Sequence, residues 1–308
     1  MPRPPTTAGV VAVVLNYDDR AATISCVESL LPEPGVSSVV VVDNDSPSGA
    51  EALADWCATQ APRVRFVAAS VNGGFGAGMN LGLRVALREG PASVLLLNND
   101  TVVATGAVAR LQAALDADPR LAVAVPVVTT GTGAIWAAGG TVDPRTLRVA
   151  HRHDVPAMPT AISFAPGAAL LVRSSVLAEV GGFVEDLFLY WEDVELSLRI
   201  TDAGWRMVLV PGAEVWHQVQ GGSPARAMNA VYYRTRNSLW VARARLRSGR
   251  LAQVRVLLAL RALRVAGRAA GRSPSRALTG LRLVARGVRD GLRPGTVTLQ
   301  AADVLDER

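Results

Sequence analysis

Three carboxylates lie close together at the start of a predicted apolar helix in the stretch LFLYWEDVELSLRI, residues 187–200. Glu195 precedes Arg199 by four residues, so we expect these two side chains to form an ion pair on the exposed face of the helix. Asp193 suits the N-cap position, where an acid also meets the positive end of the helix dipole. Capping requires only one acid, which leaves Glu192 without a structural role.

The residues beside these acids indicate a binding pocket. Tyr190 and Trp191 come directly before them, and their rings suit a sugar or another flat, half-apolar ligand. A carboxylate at a helix start beside such a pocket can act as a general base. His217 ends an extended stretch further along the chain. An Asp and a His at one sheet edge can hold a divalent ion, although a lone His more often ends a strand in solvent.

The elements that must position these residues are strands that alternate with helices over the first 130 residues. Continuous Val and Leu runs at residues 10–17, 36–44, 64–69 and 92–100 are each bounded by polar turns, and helical patterns separate them. Such runs indicate a mostly parallel sheet that is covered on both faces. The predicted fold class is therefore α/β, doubly wound, with a Rossmann-like nucleotide-binding half.

Ligands of such sheets bind beyond the carboxyl ends of the strands. A single polar strand end is ordinary turn chemistry, since Asn and Asp favour turns and helix N-caps. Three that converge on one edge indicate a site. The candidates at these ends are Asn16, Tyr17, Asp43, Asn98, Asn99 and Asp100.

The glycine-rich segment NGGFGAGMN, residues 72–80, does not match the dinucleotide-binding fingerprint, because Met79 and Leu81 occupy positions that would require glycine. The chain contains no lysine and therefore no Walker motif. We interpret the segment as a loop that passes close to a ligand before a helix that begins near Met79. A purely structural tight turn is the alternative.

The composition is that of a globular protein, since half of the 308 residues are apolar. No segment has the roughly 18 uncharged apolar residues of a membrane span. The N-terminus leads directly into VVAVVLNY without a separate signal-peptide core, so we expect a cytoplasmic protein. Cys26 and Cys57 lack metal-type spacing and are interpreted as reduced core thiols.

The charge is distributed unevenly along the chain. Residues 1–225 carry 14 Arg and 22 acids, whereas residues 226–293 carry 17 Arg and the single acid Asp290. We therefore divide the chain into a catalytic domain, residues 1–225, and a C-terminal arginine-rich helical region, residues 226–308.

Arginines recur in this helical region at intervals of three and four residues, with Leu, Val and Ala between them. This pattern predicts a cationic stripe beside an apolar one, which suits the anionic inner face of the plasma membrane. The alternative is a helical hairpin packed on the catalytic domain or in a homodimer. Nucleic-acid binding is not expected, because aromatic residues are not interleaved and the rest of the chain is acidic. The two sets are Arg261, Arg264, Arg268 and Arg272, and Arg282, Arg286, Arg289 and Arg293.

Several ordered motifs together resemble glycosyltransferase family 2, which has the GT-A fold, and within it bacterial rhamnosyltransferase-like members. The resemblance runs from about Val10 to Asn237. The motifs are VVLNY, VVVVDNDS, NGGFGAGMN, LLLNND, GAALLVRSSVLAEVGGF, YWEDVELSLRITDAGW, WHQVQGGS and YYRTRN.

The resemblance implies a site for a nucleotide-sugar donor, a dTDP- or UDP-sugar. Tyr17 and Asp43 would contact the base, and Asn99 would lie near the ribose. Asp100 would coordinate the Mg²⁺ or Mn²⁺ that binds the diphosphate, and His217 matches a position that joins the metal in some members. The remaining residues of the predicted donor site are Asn16, Asn72, Phe75, Asn80 and Asn98.

Two further implications concern the metal and the acceptor. The usual Asp-X-Asp motif is here Asn98-Asn99-Asp100, so the first acid is missing, although an Asn carbonyl or water can complete an oxygen shell. Asp193 matches the catalytic base in the Glu-Asp motif of the family. Tyr190, Trp191 and Glu192 would then contact the acceptor.

The predicted function is a metal-dependent, inverting transfer of a sugar to a cell-envelope glycan or lipid-linked acceptor. Rhamnose is suggested as the sugar by the resemblance, with galactofuranose, glucose and N-acetylhexosamines left open. A nucleotide-sugar oxidoreductase would need the missing glycine fingerprint. A non-catalytic membrane-surface scaffold is favoured only by Asn98, while Asp100 and Asp193 argue against it.

Overall fold

The structure, a computed structural model, describes residues 7–218, 224–271, 273–293 and 299–305. Strands and helices alternate at first, and the last third of the chain is helical. The strands are β1 (Thr7–Asn16), β2 (Val36–Asp43), β3 (Val64–Ala68), β4 (Pro91–Asn98), β5 (Thr101–Val103), β6 (Leu121–Thr130), β7 (Ile135–Ala137), β8 (Gly140–Val142), β9 (Val149–His151), β10 (Thr160–Ile162), β11 (Ala169–Arg173) and β12 (Arg206–His217). The helices are α1 (Arg20–Leu30), α2 (Glu51–Thr59), α3 (Gly74–Arg88), α4 (Ala107–Ala117), α5 (Ser174–Val180), α6 (Glu192–Asp202), α7 (Pro224–Arg245), α8 (Ser248–Ala270) and α9 (Pro274–Leu292).

The central sheet has the order β10-β12-β6-β11-β4-β1-β2-β3, with β5 paired to β12 and β7 paired to β6. β3, β2, β1 and β4 are parallel neighbours, as are β6 and β12. β11 runs antiparallel to both β4 and β6 and joins the two parallel groups. The structure thus confirms the predicted mostly parallel α/β sheet.

The consecutive apolar residues of the inner strands are explained by burial on both faces of the sheet. In β1, Val11 and Val13 pack in the same cluster as α3, while Ala12 and Val14 pack in the opposite cluster with α1 and α4. α3 approaches the sheet so closely that a Cβ atom at Gly82 would lie 2.3 Å from Val13 Cγ1. At Gly82, the helix backbone itself and not a side chain therefore packs against β1.

The helical region packs on the sheet domain and on itself. Leu239 and Ala242 of α7 share a buried cluster with Trp191 and Val194 of α6. α9 lies close to α7, because a Cβ atom at Gly287 would approach the side chain of Thr235 to 2.8 Å. No helix in the described ranges combines the length and apolar character needed to cross a membrane. Of the predicted arginine stripes, Arg272 and the side chain of Arg261 lie outside the described residues. Residues 219–223, the end of the WHQVQGGS motif, also lie outside them.

Two expectations about α6 are wrong. Glu195 is only 4% exposed, so its 2.7 Å ion pair with Arg199 is buried and not on the helix surface. Arg199 also donates to the carbonyl of Gly182 over 2.8 Å, which ties α6 to the segment after α5. The N-cap is Trp191 and not Asp193, which lies inside the helix. A spacing of four residues shows that two side chains share one face of a helix, but it does not show whether that face is buried or exposed.

The starts of two other helices also differ from expectation. α3 begins at Gly74 instead of near Met79, because the backbone of Gly74 (φ 85°) turns into the helix five residues earlier. The segment SSVLAEVGGF, residues 174–183, predicts a helix that Ser174 or Ser175 caps and that ends at Gly181 and Gly182. α5 begins at Ser174 without a side-chain cap, so neither serine caps it. Its predicted glycine end is confirmed at Gly181, which has φ 79°.

Gly82→Ala should destabilise the fold by about 1–3 kcal/mol, because the new methyl group would overlap Val13. The energetic cost of this overlap should exceed the gain from the higher helix propensity of alanine. Gly267, in the last turn of α8, is the matched control: apart from its chain neighbours and its own helix backbone, no atom of the described residues lies within 4 Å of its Cβ position. Gly267→Ala should therefore stabilise the protein by at most about 0.5–1 kcal/mol. Urea unfolding of both variants measures the two signs, and equal shifts would contradict the close packing of α3.

Candidate active site

Polar side chains at the carboxyl ends of β1, β2 and β4 form one connected cluster. The amide nitrogen of Asn16 donates to Asp43 Oδ2 over 2.6 Å, and its carbonyl oxygen accepts from Thr23 Oγ1 over 2.7 Å. Asn99 joins the cluster by donating to Thr23 Oγ1 over 3.0 Å. Tyr17 directly follows Asn16 in the chain and is 44% exposed. The parallel strands therefore bring the predicted strand-end residues to a single edge.

The glycine-rich loop passes between this edge and the segment that precedes α6. Asn72 Oδ1 accepts a 2.9 Å hydrogen bond from the backbone of Gly74. The backbone nitrogen of Phe75 donates to the carbonyl of Phe188 over 2.7 Å. A Cβ atom at Gly74 would lie 2.2 Å from that same carbonyl oxygen, so this position requires glycine.

Asn80 occupies a different kind of position from the other predicted donor residues. It is fully buried, and its amide exchanges two hydrogen bonds with the backbone of Phe183, at 2.8 and 3.0 Å. A third bond, of 2.9 Å, runs to Glu185. Asn80 therefore fixes the segment after α5 against α3.

Asp100 and His217 lie next to each other where β12 pairs with β5. Asp100 Oδ1 is 3.0 Å from His217 Nε2, but no hydrogen bond of suitable geometry reaches this buried oxygen from the described residues. Its lone pairs are therefore available to a cation. The edge of Trp136 packs on the His217 ring, with centroids 4.8 Å apart. Within the described ranges no three His, Cys, Asp or Glu side chains gather into a metal-binding group, and Asp100 and His217 are the two candidate ligands that these residues place here.

Asp193 and Glu192 differ in their environments. Asp193 accepts hydrogen bonds from the backbone nitrogens of Gly167 (3.1 Å) and Val194 (2.8 Å). Burial raises the pKa of Asp193, and these bonds partly oppose the increase. Burial, and secondly the charge of Asp193, raise the pKa of Glu192 to about 8. A Glu192 carboxyl with this pKa keeps its proton near neutral pH.

The loop before these acids has an unusual backbone. Phe188, Tyr190 and Trp191 have φ values of 61°, 65° and 76°, a region that residues with a side chain adopt at a cost of about 1–3 kcal/mol each. The buried side chain of Asn237 in α7 holds the loop in place. Its amide nitrogen lies 2.7, 3.0 and 2.7 Å from the carbonyl oxygens of Leu187, Leu189 and Tyr190.

A short segment links Asp193 to the strand edge. The nitrogen of Gly167 binds Asp193, and the next carbonyl, that of Ala168, accepts from the nitrogen of Asn98 over 3.0 Å. A Cβ atom at Gly167 would lie 3.7 Å from the ring of Phe75. The predicted donor and acceptor residues are therefore neighbours.

Asp193 opens into a cavity of about 260 Å³ between α6 and the helical region. His151, at the end of β9, is exposed and lines this cavity. The residues that face it from α6 and its preceding loop are Tyr190, Trp191 and Asp193, and those from α7 are Arg234, Thr235 and Ser238.

Sequence analysis missed three residues at this site. Gly167 acts through its backbone, which no side-chain pattern reveals. Arg234 and Asn237 lie within YYRTRN, a segment that carried the resemblance but had no assigned role. Only their position after two tyrosines, in an arginine-rich helix, distinguished them.

The comparisons with known proteins agree with this geometry. A family model described as glycosyltransferase like family 2 matches residues 5–242. The N-acetylglucosaminyl-diphospho-decaprenol L-rhamnosyltransferase of Mycobacterium tuberculosis is 29% identical over 68% of this chain and 75% of that protein. Mannosyltransferase PcManGT from Pyrobaculum calidifontis, with GDP-Man and Mn²⁺, has a TM-score of 0.58 at 17% identity, covering 94% of this chain and 88% of that one. GalNAc-T7 with UDP, GalNAc and Mn²⁺ has a TM-score of 0.60 at 15% identity, covering 81% and 55%.

The doubly wound sheet and its solved neighbours define a glycosyltransferase fold of the GT-A type. The chain belongs to glycosyltransferase family 2, as the sequence motifs predict, and it has rhamnosyltransferases among its relatives.

Glu192→Gln should change how stability depends on pH. The folded protein keeps the Glu192 proton up to about pH 8, whereas the unfolded chain releases it near the usual glutamate pKa. The folded state thus binds more protons in this interval, and its stability falls as pH rises from about 5 to 8. Glutamine cannot titrate, so thermal midpoints of the variant should fall less over this range. An unchanged dependence would contradict the burial of a titrating Glu192.

Proposed function

We propose that the protein is an inverting glycosyltransferase that uses a nucleotide-diphosphate sugar. The observation that carries the proposal is the link through residues 167–168, which sets Asp193 beside the edge formed by Asn98, Asn99 and Asp100. A donor whose diphosphate lies at that edge would present its anomeric carbon toward the cavity that Asp193 faces.

In the proposed reaction an acceptor hydroxyl enters the cavity and loses its proton to Asp193 Oδ2 or Oδ1. The oxygen forms a bond to the anomeric carbon while the bond to the diphosphate breaks, and the nucleoside diphosphate leaves with the electron pair. Attack from the side opposite the leaving group inverts the anomeric configuration. Tyr190 and Trp191 would hold the acceptor sugar in place.

The residues at the strand edge fit a divalent cation, since Asp100 Oδ1 has free lone pairs beside His217 Nε2. Mg²⁺ or Mn²⁺ bound there would supply charge neutralisation for the departing diphosphate. With two ligands from the chain, the donor phosphates and water would have to complete the shell. Because Asn98 replaces the usual first acid, metal binding at this site would depend on the donor phosphates.

The donor and acceptor are proposed from the relatives. The mycobacterial relative is named for transfer of L-rhamnose to a sugar on a lipid diphosphate, which supports a dTDP-rhamnose donor and a lipid-linked cell-envelope acceptor here.

Asp193→Asn should reduce sugar transfer by about 10²–10⁴-fold, because the amide cannot accept the hydroxyl proton. Nucleotide binding should remain, measured as thermal stabilisation by dTDP, UDP or GDP with Mn²⁺ or Mg²⁺. Asp55→Asn on the exposed face of α2 is the matched control and should retain activity. Loss of transfer and nucleotide binding together would make Asp193 structural. No nucleotide-induced shift in the unmodified protein would instead favour a non-catalytic scaffold.

A membrane surface is proposed as the second partner, because large apolar side chains are exposed on the helical region. Arg264 and Arg268 on α8 and Arg282 and Arg286 on α9 are also exposed. Such a mixture suits the headgroup region of an anionic bilayer. The exposed apolar residues are Val256, Leu257, Leu260 and Leu263 on α8, and Leu278 and Leu281 on α9.

The double variant Leu260→Glu with Leu263→Glu should abolish sedimentation with phosphatidylglycerol vesicles without lowering the thermal midpoint, because both side chains are exposed. Val155→Glu, at another exposed apolar position, is the control. Equal binding to phosphatidylcholine vesicles, or no binding by the unmodified protein, would contradict the proposed membrane surface.

A further inference from the structure

Arg234 forms part of the cavity that Asp193 faces, on the α7 side. Its guanidinium carbon lies 4.3 Å from the centre of the Tyr190 ring, the geometry of a cation–π contact. Among the described residues, no oxygen accepts a hydrogen bond from this guanidinium and no carboxylate pairs with it. The group is thus held in orientation by a ring while its N–H donors remain available.

Other arginines of the same helix are used differently. Arg236 donates to the carbonyl of Leu187 over 3.0 Å, and Arg243 donates to that of Gly291 over 3.1 Å. Arg245 pairs with Asp202. Each of these guanidinium groups satisfies backbone or side-chain acceptors of the protein itself. Arg234 is not engaged in this way, although it lies one helical turn from Ser238 in the same cavity.

The nearby acids do not account for Arg234. Burial raises the pKa of both Glu192 and Asp193, and the charge of Arg234 opposes that increase slightly, so Arg234 lies within electrostatic range of both acids. Even so, Glu192 Oε2 is buried without a hydrogen-bond partner in the described structure, and Asp193 is bound by backbone nitrogens. An arginine placed to neutralise these acids would bond to one of them. Arg234 instead presents its donors to the cavity.

We propose that Arg234, stacked on Tyr190, binds a phosphate group of the acceptor while Asp193 faces the hydroxyl that reacts. This inference rests on the proposed transferase function and specifies its acceptor as a phosphate ester of a sugar. A guanidinium presents parallel N–H donors that match two phosphate oxygens, and stacking on the tyrosine reduces the freedom lost on binding. Val231 and Ala262, which also line the cavity, provide apolar contacts beyond the phosphate.

The test compares two ligands that differ in one phosphate, N-acetylglucosamine 1-phosphate and its methyl glycoside. Calorimetry is performed on the full chain with dTDP and Mn²⁺ in excess, so that the donor site is filled. The unmodified protein should bind the phosphate ester about tenfold or more tightly than the glycoside. Arg234→Gln should remove this preference without weakening the glycoside, and Arg234→Lys should restore it in part.

Arg88→Gln, at the exposed end of α3, is the control for a general loss of positive charge and should keep the preference. A third ligand, the dodecyl diphosphate ester of N-acetylglucosamine, distinguishes a lipid diphosphate from a sugar phosphate as the natural acceptor. If only the affinity for this ester depends on Arg234, the acceptor is a lipid diphosphate. If the affinities for both esters depend on Arg234, a sugar phosphate is sufficient.

Three results would overturn the proposal: no preference for either ester in the unmodified protein, a preference that survives in Arg234→Gln, or equal weakening of ester and glycoside. Equal weakening would mean that Arg234 acts only on the pKa values of Glu192 and Asp193. Loss of its positive charge would raise those pKa values, so the acid limb of the pH–rate profile should then shift to higher pH for both acceptors. Loss of the dTDP-induced thermal shift would count against the transferase function itself, whereas loss of phosphate preference alone would count against Arg234.

Discussion

The site depends on the loop of residues 187–191, whose backbone is held in a conformation it would not adopt alone. Three side-chain-bearing residues there have positive φ. Their combined strain is offset by bonds from two sides: Phe75 at the start of α3 binds the carbonyl of Phe188, and Asn237 of α7 binds three further carbonyls. Because the loop leads into α6, these contacts set the direction in which Glu192 and Asp193 enter the site.

The polar side chains near the site are of two kinds: some have hydrogen-bond partners within the described chain, and others are buried without one. Asn16, Asp43 and Asn99 form a bonded cluster that fixes the strand ends. Asp100 Oδ1 and Glu192 Oε2, in contrast, are buried without hydrogen-bond partners in the described chain. Buried oxygens of this kind are costly, and that of Asp100 lies where the proposed chemistry would place a cation.

Sequence reasoning predicted the sheet well, because residues buried on both faces must be apolar at every position, and it predicted the strand-end cluster, because parallel strands end at one edge. It failed where distant segments decide the outcome. The buried Glu195–Arg199 pair depends on carbonyls after α5, and the start of α3 depends on its contact with Phe188. Arg234 and Asn237 reach the site from more than 40 residues away, a distance that no local pattern encodes.

The strand edge and the cavity beside it are built by different parts of the chain. The strand edge belongs to the first half of the sequence, whereas the side facing Asp193 is supplied by α7 and by Ala262 of α8. α9 packs closely on α7, because Gly287 and Gly291 leave no room for a side chain between the two helices. Under the proposed function, substitutions on the inner faces of α7 and α8 would alter what is glycosylated without disturbing the groups at the strand edge, so the two specificities could evolve separately.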